Sequence, residues 1–424
     1  MPIISASPLT AVMFGSDLLK RLSLRSLALL RSGSAPSEMA SRDIVPACGS
    51  ANADDGNLLL SVGANGGSIS ILKFNPSTGT LVNASTFTEQ NFMPSWQSVH
   101  PTRKDMIYSV DEGSPGGLAS FRLDRNSATL KKISRSNGFN GTVNVAIKDN
   151  LLVVASYSGA VEAFETNDQG DISQPRDTFT YSLKQPGPVK DRQAGPHPHQ
   201  AVIDPSGRFA VVPDLGADLL RLYGLNAPRI VELPAAPVPA GSGPRHGQFL
   251  ELDLPTGRQT MFYLVNEIRN SVLVYTVGYP KDAPITFQQV QEIDTLPDLK
   301  TRNNTIPASA GEIAISNDKR FVYVSNRNDF TFKNRANGPS DSIALYEIEK
   351  QTGQLKFVKL MEAGGLLPRH FSLDPTNKFV AIALQTSDAV VMYRRNEATG
   401  EFIVPEFNET RVAIPDHPVC VQWL

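Results

Sequence analysis

The chain predicts an all-β fold, a seven-bladed β-propeller with four-stranded blades, and three observations carry that expectation. One unit recurs along the 424 residues: an apolar strand often opened by Pro, an Asp-Pro or Asn-Asp turn, a second strand, a tight turn and a third strand. The residues standing before the first strands, Pro94, Thr142, Pro198, Pro244, Ala310, Pro368 and Pro418, are spaced 46 to 66 apart. A period above about 40 residues with four strands per unit marks propeller blades rather than a solenoid. The two ends are also complementary. The first unit begins with what the others use as a second strand, and the last residues have the pattern of a first strand with nothing after it. Joining them completes one blade from both termini and leaves no open sheet edge.

Taken in order, the opening unit is NLLLSVGANGGSISILKFNPSTGTLVNASTF, from Asn57. It is followed by PSWQSVHPTRKDMIYSVDE with GLASFRL, and then by TVNVAIKDNLLVVASYSGAVEAFE. The clearest copy is PHQAVIDPSGRFAVVPDLGADLLRLY (198–223), and PRHGQFLELDLPTGRQTMFYLVNEIRNSVLVY comes next. AGEIAISNDKRFVYVSNRND (310–329) with DSIALYEI, PRHFSLDPTNKFVAIALQTSDAVVMYRR (368–395) and the terminal HPVCVQWL complete the series. Strands run about five to eight residues with alternating or dense Val, Ile, Leu, Tyr and Phe. Thr78-Gly79, Thr352-Gly353 and Thr399-Gly400 mark turns before a further strand. The Asp residues of VDE, PDL and LDP, and His100 before Pro101, read as turn residues. The segment 331–340, TFKNRANGPS, is an insertion.

Residues 42–424 are therefore assigned to one propeller domain and residues 1–41 to an N-terminal extension. The extension carries Lys20, Arg21, Arg25 and Arg31 among Leu, Ser and Ala. It fits either a disordered appendage or a mitochondrial transit segment. A cytoplasmic location is the first expectation, and a mitochondrial one the alternative. Cys48 and Cys420 offer neither a disulfide framework nor a thiolate metal site, which points to a reducing compartment. With 40 Lys+Arg against 42 Asp+Glu the net charge of −2 offers no field for nucleic acid. No apolar run approaches the roughly 20 residues of a membrane helix. The chain is compatible with a homo-oligomer.

In a propeller blade the first strand lines the channel and the second runs antiparallel to it, so the start of one and the end of the other reach the same rim. First-strand starts supply His197, His199, Arg245, His246, Glu312, Arg369 and His370. Second-strand ends supply Asp214, Asn266, Glu267, Asn326, Arg327 and Gln385. Such a concentration of Arg, His and Glu at one opening suits a small polyanion. Arg pairs with carboxylate through two hydrogen bonds, and His or Glu can pass a proton near neutral pH.

At these residues the chain resembles the seven-bladed lactonases, the family of bacterial 6-phosphogluconolactonase and fungal 3-carboxy-cis,cis-muconate cyclase. The stretches that carry the resemblance are RQAGPHPHQAVIDPSGRFAVVPDLGADLLRLY (192–223), GSGPRHGQF (241–249), LVNEI (264–268), YVSNRND (323–329) and LLPRHFSLDP (366–375). The resemblance implies an active centre of His199, Arg245, Glu267 and Arg327, a small carboxylated lactone or muconate as substrate, and neither metal nor cofactor. Substrate-binding candidates are His197, His246, Glu312, Arg369, His370, Gln385 and Arg192, the last with Lys190 as a source of phosphate-binding charge. Arg245 and Arg327 are expected to clamp carboxylates, and His199 and Glu267 to share acid and base roles. Glu312, in AGEIAIS, is also open to a channel-lining role beside an arginine, and Arg369 to a structural one. Alanine at His199 or Arg245 is expected to abolish turnover with the melting point nearly unchanged. Hydrolysis and cyclisation stay open, and a non-catalytic scaffold is the competing class.

Overall fold

The computed structural model describes residues 56–281, 283–297, 307–334, 337–403 and 410–424. The proposed extension, the proposed domain start at residue 42 and Cys48 lie outside them. Seven antiparallel sheets follow one another. Blade 1 combines Leu58–Ala64, Ser68–Phe74 and Leu81–Thr88 with the C-terminal Pro418–Trp423 as its innermost strand. Blade 2 is Gln97–Val99, Met106–Asp111, Gly116–Asp124 and Thr129–Gly138. Blade 3 is Thr142–Lys148, Leu151–Ser156, Ala160–Glu165 and Asp177–Thr180. Blade 4 is Val202–Ile203, Phe209–Asp214, Leu219–Asn226 and Arg229–Pro237. Blade 5 is Pro244–Leu254, Gly257–Asn266, Ser271–Gly278 and Thr286–Asp294. Blade 6 is Ser309–Ile315, Phe321–Arg327, Ser342–Ile348 and Leu355–Glu362. Blade 7 is Pro368–Leu373, Phe379–Leu384 and Ala389–Arg395, edged by Phe402–Ile403 and Arg411–Ala413. The insertion forms its own small hairpin, Phe332–Lys333 with Pro339–Ser340.

Burial explains the strand patterns. The middle strands of each blade lie between two neighbouring blades, so Met106–Asp111 and Leu151–Ser156 are buried at every position and read as mostly apolar without alternation. Outer strands show one face to water, and Thr286–Asp294 alternates accordingly. The apolar core is divided in the same way, one cluster per blade interface. Met261, Tyr263 and Val272 meet Ile313, Val322 and Ala344 between blades 5 and 6, and Leu60, Val62 and Val421 meet Ala381 and Val390 between blades 7 and 1. Tyrosine hydroxyls tie blades together at the outer turns. Tyr263 donates to the Gly353 carbonyl at 2.7 Å and Tyr323 to that of Gly400 at 2.8 Å, the two Thr-Gly turns seen in the sequence.

Closure of the ring rests on the register of the last strand. Leu60 lies opposite Trp423 and Val62 opposite Val421, so the free edge of Leu58–Ala64 is paired. The turn aspartates behave as expected. Asp374 accepts the backbone N–H groups of Thr376, Lys378 and Phe379, and Asp214 accepts those of His197, Gly216 and Ala217. His100 is a turn residue as well, its Nδ1 accepting from the Arg103 backbone at 3.1 Å.

Candidate active site

Strand pairing places the first-strand starts beside the second-strand ends: Thr142 opposite Ser156, Pro244 opposite Asn266, Ala310 opposite Asn326, Pro368 opposite Leu384. One residue beyond each pair, the chain turns over the channel. From the second strands this step delivers Tyr157, Glu267, Arg327 and Gln385, and the first three, with Glu112 just past the second strand of blade 2, line one cavity of about 130 Å³ together with Val143, Arg192, His199 and Arg369.

The first strands share a second device. In blades 1, 3, 5, 6 and 7 the register with the second strand slips at the same place, at Val419, Val143, Arg245, Gly311-Glu312 and Arg369. A β-bulge inserts one unpaired residue and re-aims side chains that simple alternation would send to opposite faces. Arg245 with His246, and Arg369 with His370, thus all reach the channel wall. Beneath the main cavity they line a narrow chamber with Ser95, Trp96, Val143, His199, Glu312 and Val419. Its volume, about 10 Å³, is on the scale of one water.

Glu267 is the hub of the upper cavity. Its Oε2 lies 2.8 Å from Arg327 Nη2 and 2.9 Å from Arg245 Nε, and its Oε1 accepts from Arg192 Nη2. Burial opposes its ionisation, but Arg327, Arg245 and Arg192 overcome that penalty and hold the carboxyl well below the usual range. A carboxylate held ionised in this way is a poor proton carrier near neutrality and a good organiser of guanidiniums. Arg245 is itself 2 % exposed. Its Nη1 donates to the Gly311 carbonyl at 2.9 Å, while its Nε–H is not aligned for a hydrogen bond despite the short ion pair. Burial and repulsion from Arg327 push Arg245 down to about 9, still cationic at neutral pH. Gly311 leaves room for these side chains. A Cβ there would come 2.7 Å from Ser325 Oγ and 3.2 Å from Arg327 Nε.

The guanidiniums that remain accessible are those of Arg192, Arg369 and Arg327, whose side chains are 41 %, 22 % and 10 % exposed. Arg369 faces Glu112 at 3.6 Å. His199 is buried, and burial followed by the charge of Arg245 lowers its pKa well below 6.5, so the imidazole is neutral at pH 7.

The four residues of the implied centre therefore meet. Of the wider set, Arg192 and Arg369 line the upper cavity, Arg369 also reaches the lower chamber, and His246, Glu312 and His370 line only the lower one. His197 and Gln385 line neither. His197 stacks on Tyr157, centroids 4.2 Å apart, with its Nδ1 2.7 Å from the Tyr157 carbonyl. Gln385 spends its backbone on Leu367 and His417. Glu312 sits beside histidines: its Oε2 is 2.9 Å from His246 Nδ1 and 3.7 Å from His370 Nε2. The expected arginine neighbour acts only at longer range, through the charge of Arg245. Glu112 and Tyr157 went unnoticed in the sequence although they hold the same repeat position as Glu267 and Arg327. Carrying that position through all seven units would have found both. Among the described residues no group of three or more His, Cys, Asp and Glu is placed to hold a metal ion.

A propeller whose cavity gathers arginines beside a neutral histidine has the fold and the site of a small-molecule enzyme. Comparison with known proteins says which. The family described as lactonase, 7-bladed beta-propeller, matches residues 57–423, and the chain belongs to it. It is similar to the probable 6-phosphogluconolactonase of Arthroderma benhamiae, 32 % identical over 85 % of this chain and 88 % of that protein. The 6-phosphogluconolactonase of Bacillus subtilis is 29 % identical over 75 % and 84 %. Among solved structures, the periplasmic gluconolactonase of Pseudomonas aeruginosa superposes with a TM-score of 0.72 at 26 % identity, covering 87 % of this chain and 99 % of that one. The protein is a lactone-ring enzyme, and the scaffold reading is not favoured. Among the described residues no helix is long and apolar enough to cross a membrane.

Proposed function

We propose that this chain hydrolyses the lactone of a phosphorylated sugar acid, as its 6-phosphogluconolactonase relatives are named to do. The observation that carries the reading is the upper cavity: three accessible guanidiniums beside one neutral, buried imidazole. Arg192 and Arg369, the two more open cations, take the phosphate. Arg327, already aligned by Glu267, faces the carbonyl oxygen and stabilises the charge that develops there. His199 is the base.

Water gives a proton to His199 Nε2 as its oxygen attacks the lactone carbonyl carbon, and the negative charge forms on the carbonyl oxygen. When the tetrahedral intermediate collapses, the bond from that carbon to the ring oxygen breaks. The same proton passes from His199 to the leaving oxygen, and the products are a hydroxyl and a carboxylic acid that ionises in water. We keep the cytoplasm as the proposed location.

The test is to offer purified protein 6-phosphogluconolactone, gluconolactone and 3-carboxy-cis,cis-muconate in turn. Hydrolysis of the phosphorylated lactone with a kcat/KM at least tenfold above that of the unphosphorylated one is expected. Cyclisation of the muconate without lactone hydrolysis would overturn the proposal.

A further inference from the structure

The lower chamber holds groups that the proposed hydrolysis does not touch, and they form a connected line. Glu312 Oε1 accepts the backbone N–H of Ile313 at 3.1 Å. Its Oε2 stands 2.9 Å from His246 Nδ1. The far nitrogen of that ring, Nε2, stands 3.1 Å from His199 Nδ1. Among the described residues no protein group hydrogen-bonds His199 Nε2, and this ring forms part of the upper cavity wall. All three residues of the line are shielded from water, with His246 at 2 % and Glu312 at 3 % exposure.

Each contact in the line has one donor and one acceptor, so a single choice sets the rest. An ionised Glu312 can only accept, which puts the proton of His246 on Nδ1. His246 Nε2 is then a lone pair and must accept, which puts the proton of His199 on Nδ1. His199 Nε2 is left as a lone pair toward the cavity. We infer that Glu312 and His246 are positioning residues, a buried relay that selects the tautomer of His199 in which Nε2 is the base, and that stabilises the imidazolium formed as water is deprotonated. This rests on the hydrolytic reading above.

The surroundings support the assignment. His370 Nδ1 accepts the Val421 N–H at 3.2 Å, which puts the proton of a neutral ring on Nε2, 3.7 Å from Glu312 Oε2 and 3.5 Å from the Gln422 side-chain amide. Glu312 thus has one N–H at hydrogen-bond distance, that of His246, and a second imidazole at longer range. Trp96 stands edge-on to both rings, at 5.4 Å from His246 and 4.9 Å from His370 with interplanar angles of 87° and 85°, and packs their apolar edges. Burial raises the pKa of Glu312, while His370 and Arg245 favour the charged form.

Glu312→Gln separates relay from mere packing, because the side chain keeps its shape. The Ile313 N–H holds the amide oxygen on its own side, so the NH2 faces His246 and donates. Every proton in the line then reverses, and His199 Nε2 becomes an N–H that cannot take a proton from water. In the serine-protease triad, a histidine held in the wrong tautomer costs about 10⁴-fold in turnover. Here kcat is expected to fall at least about 100-fold with KM changed less than about threefold, in a protein whose melting curve stays cooperative. The independent readout is nitrogen-15 NMR of histidine-labelled protein without substrate, practical because the chain has six histidines. The wild type should show His199 and His246 protonated on Nδ1, and the variant should show both on Nε2. A wild-type His199 carrying its proton on Nε2, or a folded variant with unchanged kcat, overturns the relay. Since the NMR measurement needs no turnover, it decides the relay even if the phosphorylated lactone proves not to be the substrate.

Discussion

His199 and Arg245 stand in adjacent motifs, yet burial gives them different consequences when replaced. His199 makes one side-chain hydrogen bond, to His246, so His199→Gln should remove at least about 100-fold of kcat while the melting temperature moves little. Turnover retained in that variant, measured by lactone hydrolysis, removes His199 as the base. Because burial holds its pKa below 6.5, a base that must be unprotonated stays competent as pH falls through 6.5. The acidic limb of log kcat/KM should therefore lie below that value, and a limb centred at or above 6.5 would contradict the assignment. Arg245 is another matter. It joins Glu267 to the Gly311 carbonyl inside the wall, and removing one partner of a buried pair costs about 3–5 kcal/mol. Arg192 and Arg327 still face Glu267, so the lower end of that range applies. Arg245→Ala should thus lower the unfolding free energy in urea as well as activity, which revises the expectation of an unchanged melting point. A variant as stable as the wild type would mean the pair contributes nothing.

At the level of strands and turns, the site depends on how each blade's first strand meets its second. The loop that carries His197 and His199 is laid against the turn after Phe209–Asp214. A Cβ on Gly216 would fall 1.8 Å from the Gly195 carbonyl oxygen and 2.9 Å from His197 Cδ2. Gly216→Ala cannot be accommodated without moving that loop, and overpacking of this kind costs about 1–3 kcal/mol. Loss of both stability and kcat is expected, measured by chemical denaturation and lactone hydrolysis. An activity equal to wild type would show that the loop's position is not what sets His199. The bulges make the same point. Strand alternation, the rule used to read the sequence, sends Arg245 and His246 to opposite faces. The extra residue at Arg245 is what turns both inward, and the same Pro-Arg-His triplet stands at the bulge of blade 7.

For the ring as a whole, stability is shared between interfaces rather than stored in one core. Each blade interface has its own apolar cluster, so the blades support one another only if the circle is shut. Removing residues 418–424 would strip Val421 from the cluster holding Leu60 and Val62 and leave Leu58–Ala64 as an unpaired edge. Aggregated protein without a cooperative melting transition is expected, as read by size-exclusion chromatography and calorimetry. A truncated chain that melts cooperatively as a monomer would show that closure is dispensable.

What the residue order determined by itself was whatever repeats. Period, strand count, the swapped terminal strand and the rim shared by His199, Arg245, Glu267 and Arg327 all follow from equivalent positions recurring seven times, because rotation about one axis converts equal sequence phase into spatial neighbourhood. Glu112 and Tyr157 were legible by the same rule. The roles within the rim were decided only by the folded molecule. That Glu267 binds three guanidiniums, that Arg245 is buried and Arg369 is not, and that Glu312 meets His246 rather than an arginine depend on distances of a few ångströms, most of them between different blades. Charge, tautomer and pKa respond to separation and exclusion of water at that scale, and sequence spacing carries neither.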